Sequence, residues 1–270
     1  MSKVCVVVGV GPGNGASCCR RFAAEGYSVA MLARNVDYLN ALSAEVDNSL
    51  AIPCDVKDPK SVVSAFDTIS DELGEVGVLI YNAGSGEWNN VEETTVEGME
   101  SSWQTNTLGL LVASQQVISA MKAKEAGSIV VIGATASLRG GANSAGFASA
   151  KASQRSLAQS MARHLGPKGI HVSYVIIDGI IDLERTRAAR PDIPDEYYLQ
   201  PDDIAQSVFD LTGQHRSAWT FELDLRPFGE KWKLQIFHGE PPNVSARKAA
   251  EQVIKTTTRI DYVEFNTPTE

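Results

Sequence analysis

A chain of 270 residues, 43% hydrophobic and 21% charged, can bury a full core without disulfide or metal staples. Its formal charge of −9 argues against nucleic acid and against an anionic membrane surface, because both want a basic patch. No apolar stretch approaches the ~18 residues of a membrane helix, so the expected partner is a small molecule.

In chain order, strand-like apolar runs alternate with helix-like segments. Strands are expected at 3–9, 28–33, 49–53, 78–81, 128–132, 171–177 and 221–225. Several are near-continuous Val, Ile and Leu, the pattern of parallel strands covered on both faces. Helices are expected at 16–25, 36–46, 60–73, 96–121, 147–164 and 201–212. Such alternation predicts βαβ units and a doubly wound parallel sheet, an α/β fold. Residues 183–200 break the rhythm with charges, Pro191 and Pro194, and are expected to form a long loop over the substrate. Residues 1–232 are read as one domain and 233–270 as a C-terminal extension, with a helix at 244–254 and an edge strand at 260–265.

Cys5, Cys18, Cys19 and Cys54 form no C-x-x-C pair and are expected as buried thiols in a reducing compartment. The first residues pass from one lysine straight into Val4–Val8, so a cytoplasmic protein without a leader is expected. His164, His171, His215 and His238 fall at no metal or triad spacing, and no metal is expected.

The first strand runs into Gly9-Val10-Gly11-Pro12-Gly13-Asn14-Gly15, then a helix. In that context the glycines permit a tight turn and close approach of backbone amides to a pyrophosphate. The helix N-terminus adds partial positive charge. The spacing Gly9-x-x-x-Gly13-x-Gly15 resembles the phosphate loop of short-chain dehydrogenases/reductases. The resemblance continues through Asp55-Val56, the turn Tyr81-Asn82-Ala83-Gly84, Asn106, Lys151 and Asp178-Gly179-Ile180-Ile181. It covers roughly residues 3 to 226 and implies a Rossmann-type fold, a nicotinamide cofactor, and a homodimer or homotetramer built through long helices such as 96–121.

Family likeness also implies cofactor contacts at Gly9, Gly13, Asn14, Gly15, Asp55, Val56, Asn82, Ala83, Gly84, Gly179 and Ile181. At the end of the second strand Arg34 stands where a carboxylate would hold a ribose 2′-hydroxyl. A guanidinium there suits a 2′-phosphate, so NADP(H) is expected rather than NAD(H).

In ordinary family members a tyrosine protonates the nascent alkoxide, a lysine binds the nicotinamide ribose, a serine holds the substrate oxygen and an asparagine holds a water. Here the motif reads Phe147-Ala148-Ser149-Ala150-Lys151, so Phe147 replaces the tyrosine. Ala134 occupies the serine position in an ungapped match. A one-residue shift would bring Thr135 there, and Ser137 is the next hydroxyl. Catalytic roles are therefore expected for Lys151 and Asn106, with Phe147, Thr135 and Ser137 shaping the reacting end. General acid catalysis contributes ~10²–10⁴-fold, and hydride addition to an iminium or an activated C=C tolerates its loss better than ketone reduction. The expected function is an NADP(H)-dependent oxidoreductase acting on a small organic molecule, an imine or activated C=C before a simple ketone. The alternative is an inactive cofactor-binding sensor or scaffold. Trp88 can border the substrate cleft, and Asp178 is either a polar substrate contact or a turn residue.

Overall fold

A computed structural model of the chain describes residues 3–230. The 233–270 extension and its two expected elements lie outside the described residues. Strands follow the apolar runs closely: β1 (Val4–Val8), β2 (Ser28–Ala33), β3 (Ser49–Pro53), β4 (Val78–Tyr81), β5 (Gly127–Ile132), β6 (Ile170–Ile177), β7 (Ile180–Ile181), β8 (Tyr198–Leu199) and β9 (Glu222–Leu225). Helices between them are α1 (Asn14–Ala24), α2 (Val36–Glu45), α3 (Pro59–Glu72), α4 (Val96–Trp103), α5 (Gly109–Ala123), α6 (Ala145–Leu165), α7 (Glu184–Ala189) and α8 (Pro201–Thr212).

Seven strands form one sheet in the order β3-β2-β1-β4-β5-β6-β9, every pair parallel. This is the expected doubly wound Rossmann-type sheet. Side chains alternate along β1: Val4, Val6 and Val8 enter one core, while Cys5 and Val7 enter the other. The first core takes Phe66 and Ile69 from α3, Leu110 and Val117 from α5, and Ala158 from α6. The second takes Phe22 from α1, Leu39 from α2, and Ile204 and Val208 from α8. Each large aliphatic or aromatic side chain buried this way contributes roughly 1.5–3 kcal/mol, so both faces of the sheet are strongly held. Chain order reverses between β1 and β4, and ligands bind outside the carboxyl ends of strands at such a switch point.

Helix starts follow local chemistry. Asn35 accepts from Tyr38 N, Asp58 accepts from Lys60 N, and Thr95 accepts from Gly98 N, each supplying a partner to an orphan amide of the first turn. Pro59 and Pro201 open α3 and α8, where a missing N–H costs nothing.

Two expectations are corrected. The single helix expected at 96–121 is interrupted by a π-helical segment, Gln104–Leu108, between α4 and α5. A hydrophobic period cannot reveal this, because the cause is tertiary: Gly109 lies against the Tyr81 hydroxyl and the Val56 carbonyl, and the Tyr81 hydroxyl donates to Thr105 O at 2.5 Å. The segment 183–200 is not an irregular loop throughout. It holds α7, a 3₁₀ turn at Asp195–Tyr197, and β8, which pairs with β7. Arg187 organises it by reaching Asp182 (2.6 and 2.8 Å) and Asp195.

Candidate active site

The carboxyl ends of β1, β4, β5 and β6 open onto a cavity of about 1080 Å³. At its first end, Gly9 takes φ +90, and a Cβ there would sit 2.4 Å from Ala83 N. Only glycine fits that close approach. Asn82 Nδ2 donates to Gly9 O at 2.7 Å, tying the end of β4 to the loop. Gly13, at φ +110, caps α1 and lies under the Leu183 side chain, so it does not line the cavity. Gly15 packs on Val10 and Gly9 O. Asn14 is buried, and its Oδ1 has no partner among the described residues. A buried polar atom without a partner is costly, and this one stands at the mouth of a helix N-terminus.

Arg34, Asn35, Asp55, Val56 and Lys57 line the adjoining wall. Arg34 is exposed and makes no hydrogen bond or ion pair with the described residues. Asp55 Oδ1 accepts from Lys57 N at 3.0 Å, which fixes the turn after β3. Among the described residues that line the cavity, Arg34, Lys57, Arg139, Lys151 and Arg185 are faced by one acid, Asp55. The chain is acidic overall, yet this concavity is cationic and attracts anions.

At the other end the residues Lys151, Phe147 and Thr135 share the cavity wall. Lys151 Nζ donates to Ile132 O at 2.9 Å and to Gln154 Oε1 at 3.1 Å. Burial pushes its pKa down to about 7, because a low-dielectric setting disfavours the charged amine. Gln154 is held in turn by Asn106 O (2.9 Å) and Tyr174 OH (3.3 Å). Asn106 sits in the π segment behind the wall. Its Nδ2 donates to Ser85 O (2.6 Å) and Ser102 O (2.8 Å), while its buried Oδ1 has no partner among the described residues. A point beside Gly84 lies 3.4 Å from that oxygen and 3.3 Å from Lys151 Nζ.

Phe147 packs against Trp88 with ring centroids 4.6 Å apart and planes tilted by 32°, and Lys151 Nζ is 6.0 Å from the Phe147 centroid. Trp88 lines the cavity. Thr135 Oγ1 donates to Asp178 Oδ1, and Asp178 Oδ2 pairs with Arg226 Nη2. Asp178 therefore lies one layer behind the wall rather than in it. Ser137 is buried, its hydroxyl donating to Ala134 O at 2.6 Å, and it does not reach the cavity. Ser149 Oγ donates to Ala145 O at 2.7 Å, so this hydroxyl is also spent within the helix.

Of the expected cofactor contacts, Gly9, Asn14, Gly15, Arg34, Asp55, Val56, Asn82, Ala83, Gly84, Lys151, Gly179 and Ile181 all line the cavity. Arg139, Leu183 and Arg185 line it too and were not singled out from sequence, and Gln154 stands behind Lys151. Gln154 had a usable signal, three residues after Lys151 on one helix face. The arginines had none, because their direction depends on the fold.

A family model described as short chain dehydrogenase matches residues 3–193. Among curated relatives, the 3-oxoacyl-[acyl-carrier-protein] reductase of Bos taurus is 30% identical over 231 residues, 83% of this chain and 97% of that protein. A crystal structure of a short-chain dehydrogenase from Rhodopseudomonas palustris is 33% identical with a TM-score of 0.72, covering 84% of this chain and all (100%) of that one. An alcohol dehydrogenase from Thermococcus sibiricus, solved with 5-hydroxy-NADP, is 25% identical with a TM-score of 0.77, covering 86% and 100%.

Proposed function

Because the chain belongs to the short-chain dehydrogenase family, we propose that it is an NADP(H)-dependent oxidoreductase whose substrate is a C=N or activated C=C bond rather than a simple ketone. The residues present fit the cofactor. Gly9 and Gly15 let the loop pack directly on Ala83 and Val10, which sets the N-terminus of α1 at the cavity where a pyrophosphate would bind, and the exposed Arg34 guanidinium is free of the described acids to meet a 2′-phosphate. The Thermococcus sibiricus relative was solved with an NADP derivative. When bound, the cofactor supplies a hydride.

The chain's own residues do the rest. Lys151, positioned by Ile132 O and Gln154, holds the nicotinamide ribose. Asn106 shapes the polar space beside Gly84. Trp88 and Phe147 give the reacting end an apolar wall of two rings in contact. The observation that carries the reading is Phe147 itself: the side chain four residues before Lys151 lines the cavity and has no proton to give. Ketone reduction puts full negative charge on oxygen, and the acid and oxyanion donors it wants are worth ~10²–10⁴-fold and ~10²–10³-fold. An iminium carbon needs neither. A stripe of exposed apolar residues on α4 and α5, Val96, Met99, Trp103 and Leu111, supports assembly of two or more copies through these helices.

The test is oxidation of NADPH by wild type, Phe147→Tyr and Arg34→Ala against ketones, aldehydes, cyclic imines and activated enones, with NADH alongside. The expected result is turnover of imines or enones by the wild type, little gain from tyrosine there, and a ~10–100-fold weaker response to NADPH in Arg34→Ala. Silence of the wild type with ketone reduction appearing in Phe147→Tyr would replace this reading with that of a cofactor-binding sensor. Ketone reduction by the wild type at ordinary rates would overturn the argument from Phe147.

A further inference from the structure

Along the stretch from Ile132 to Lys151, around Phe147, the hydroxyls of Thr135, Ser137, Ser144 and Ser149 have their hydrogens committed within the protein. Thr135 Oγ1 donates to Asp178 Oδ1. Asp178 is buried, 4% exposed, and its other oxygen pairs with Arg226. Ser144 Oγ accepts from Gly141 N at 3.0 Å and donates to Gly141 O at 3.3 Å. Lys151 donates to Ile132 O and Gln154. Phe147 contributes no hydrogen at all.

A hydroxyl has one hydrogen and two lone pairs. With its hydrogen turned to a carboxylate, the Thr135 oxygen has only lone pairs left for the cavity. A serine or threonine that serves a ketone must do the reverse and donate. Arg139 and Arg185 can donate, but both are exposed side chains, whereas Thr135 and Phe147 are half-buried.

We propose that Thr135, oriented by Asp178, is a specificity-determining residue, and that the reacting group it accepts carries its own hydrogen: the N–H of an iminium and of the amine formed from it. This deepens the C=N reading above and rests on it. The step balances without an acid. Hydride adds to the iminium carbon, the C=N π pair becomes the nitrogen lone pair, the N–H hydrogen stays, and the nicotinamide is oxidised. Neither Phe147 nor Thr135 has to release a proton.

The experiment compares binding of pyrrolidine and of cyclopentanone, two five-membered rings differing at the reacting atom, to the NADP⁺-saturated protein by calorimetry. The wild type is expected to favour the amine by ~10-fold or more, the scale of one hydrogen bond involving a charged group. In Asp178→Asn, Arg226 can only donate, so the amide oxygen must face Arg226 and the amide N–H must face Thr135. That frees the Thr135 hydrogen for the cavity, and the preference should shift by ~10-fold or more toward the ketone. Thr135→Val should lose the preference and Thr135→Ser should keep it, a pair that decides the matter even if Asp178→Asn unfolds.

A wild type that does not favour the amine, whether by binding both rings alike or by failing to bind it, overturns the proposal, as does an unchanged preference in folded Asp178→Asn or in Thr135→Val. Imine turnover with no dependence on Thr135 would sink this inference alone. An amine preference lost in Thr135→Val, without imine turnover, would keep Thr135 as the acceptor of an amine N–H but sink the redox reading and, with it, the iminium as the reacting group.

Discussion

Lys151 carries the largest consequence of burial on any single side chain at the site. Its pKa falls from an ordinary 10.5 to about 7. Between those values the unfolded chain holds a proton that the folded one does not. Unfolding therefore takes up a proton, and stability rises with pH across the window; below it both states are protonated and the cost is constant. The buried thiols act in the opposite sense. Burial raises Cys18 from 9.0 to about 12 and pushes Cys5 and Cys19 up as well, so above their ordinary value only the unfolded chain loses these protons and stability falls. Urea unfolding of the cofactor-free, reduced protein should show the midpoint climbing from about pH 7 to about pH 9 and then declining. Lys151→Met should flatten the climb and leave the decline. A climb that survives in Lys151→Met would mean another group causes it.

The informative element is the π-helical segment Gln104–Leu108. Such insertions in α-helices mark functional sites often enough to be read that way, and this one carries Asn106 to Lys151 and Gly84. Its fit depends on a small residue after it. A Cβ at Gly109 would sit 2.3 Å from Tyr81 OH and 2.9 Å from Val56 O, so Gly109→Ala should destabilise by ~1–3 kcal/mol through overpacking. Tyr81→Phe alone leaves Thr105 O without the phenolic donor. Combined with Gly109→Ala it removes the nearer clash, so the double variant should be more stable than the two single losses predict. Additive losses in chemical denaturation would show that Tyr81 does not shape this turn.

At the scale of the molecule, two surfaces of the described residues depart from an acidic, polar average. One is the cationic cavity, where Arg34 and Lys57 offset the −9 charge at the place an anionic cofactor would enter. The other is the α4–α5 stripe. Trp103 is 44% exposed and Val96 68%, with Met99 exposed on the same helix and Leu111 exposed on α5 beyond the π segment, and exposed apolar groups that cluster mark association sites. If a second copy covers this face, sedimentation velocity should give at least twice the monomer mass, and Trp103→Glu should shift it toward the monomer. A wild type that sediments as a monomer at assay concentrations would remove this face from the proposal.

The sequence by itself determined the sheet, its parallel order of βα units, the phosphate loop and the place of Arg34. Continuous apolar runs, glycine spacing and helix caps are local signals, and each acts through neighbours a few residues away. It also placed Phe147, a side chain with no proton to give, four residues before Lys151, which is where the proposed reading starts. Tertiary structure decided what the hydroxyls do. Thr135, Ser137 and Ser149 are alike in sequence, yet Thr135 lines the cavity, Ser137 turns back to Ala134, and Ser149 is spent on α6. Asp178 was ambiguous between substrate contact and turn residue, and packing made it the carboxylate that turns Thr135. The direction of a hydrogen bond follows from which donors and acceptors the fold brings together across the chain, and 43 residues separate Thr135 from Asp178. No local pattern records such a pairing.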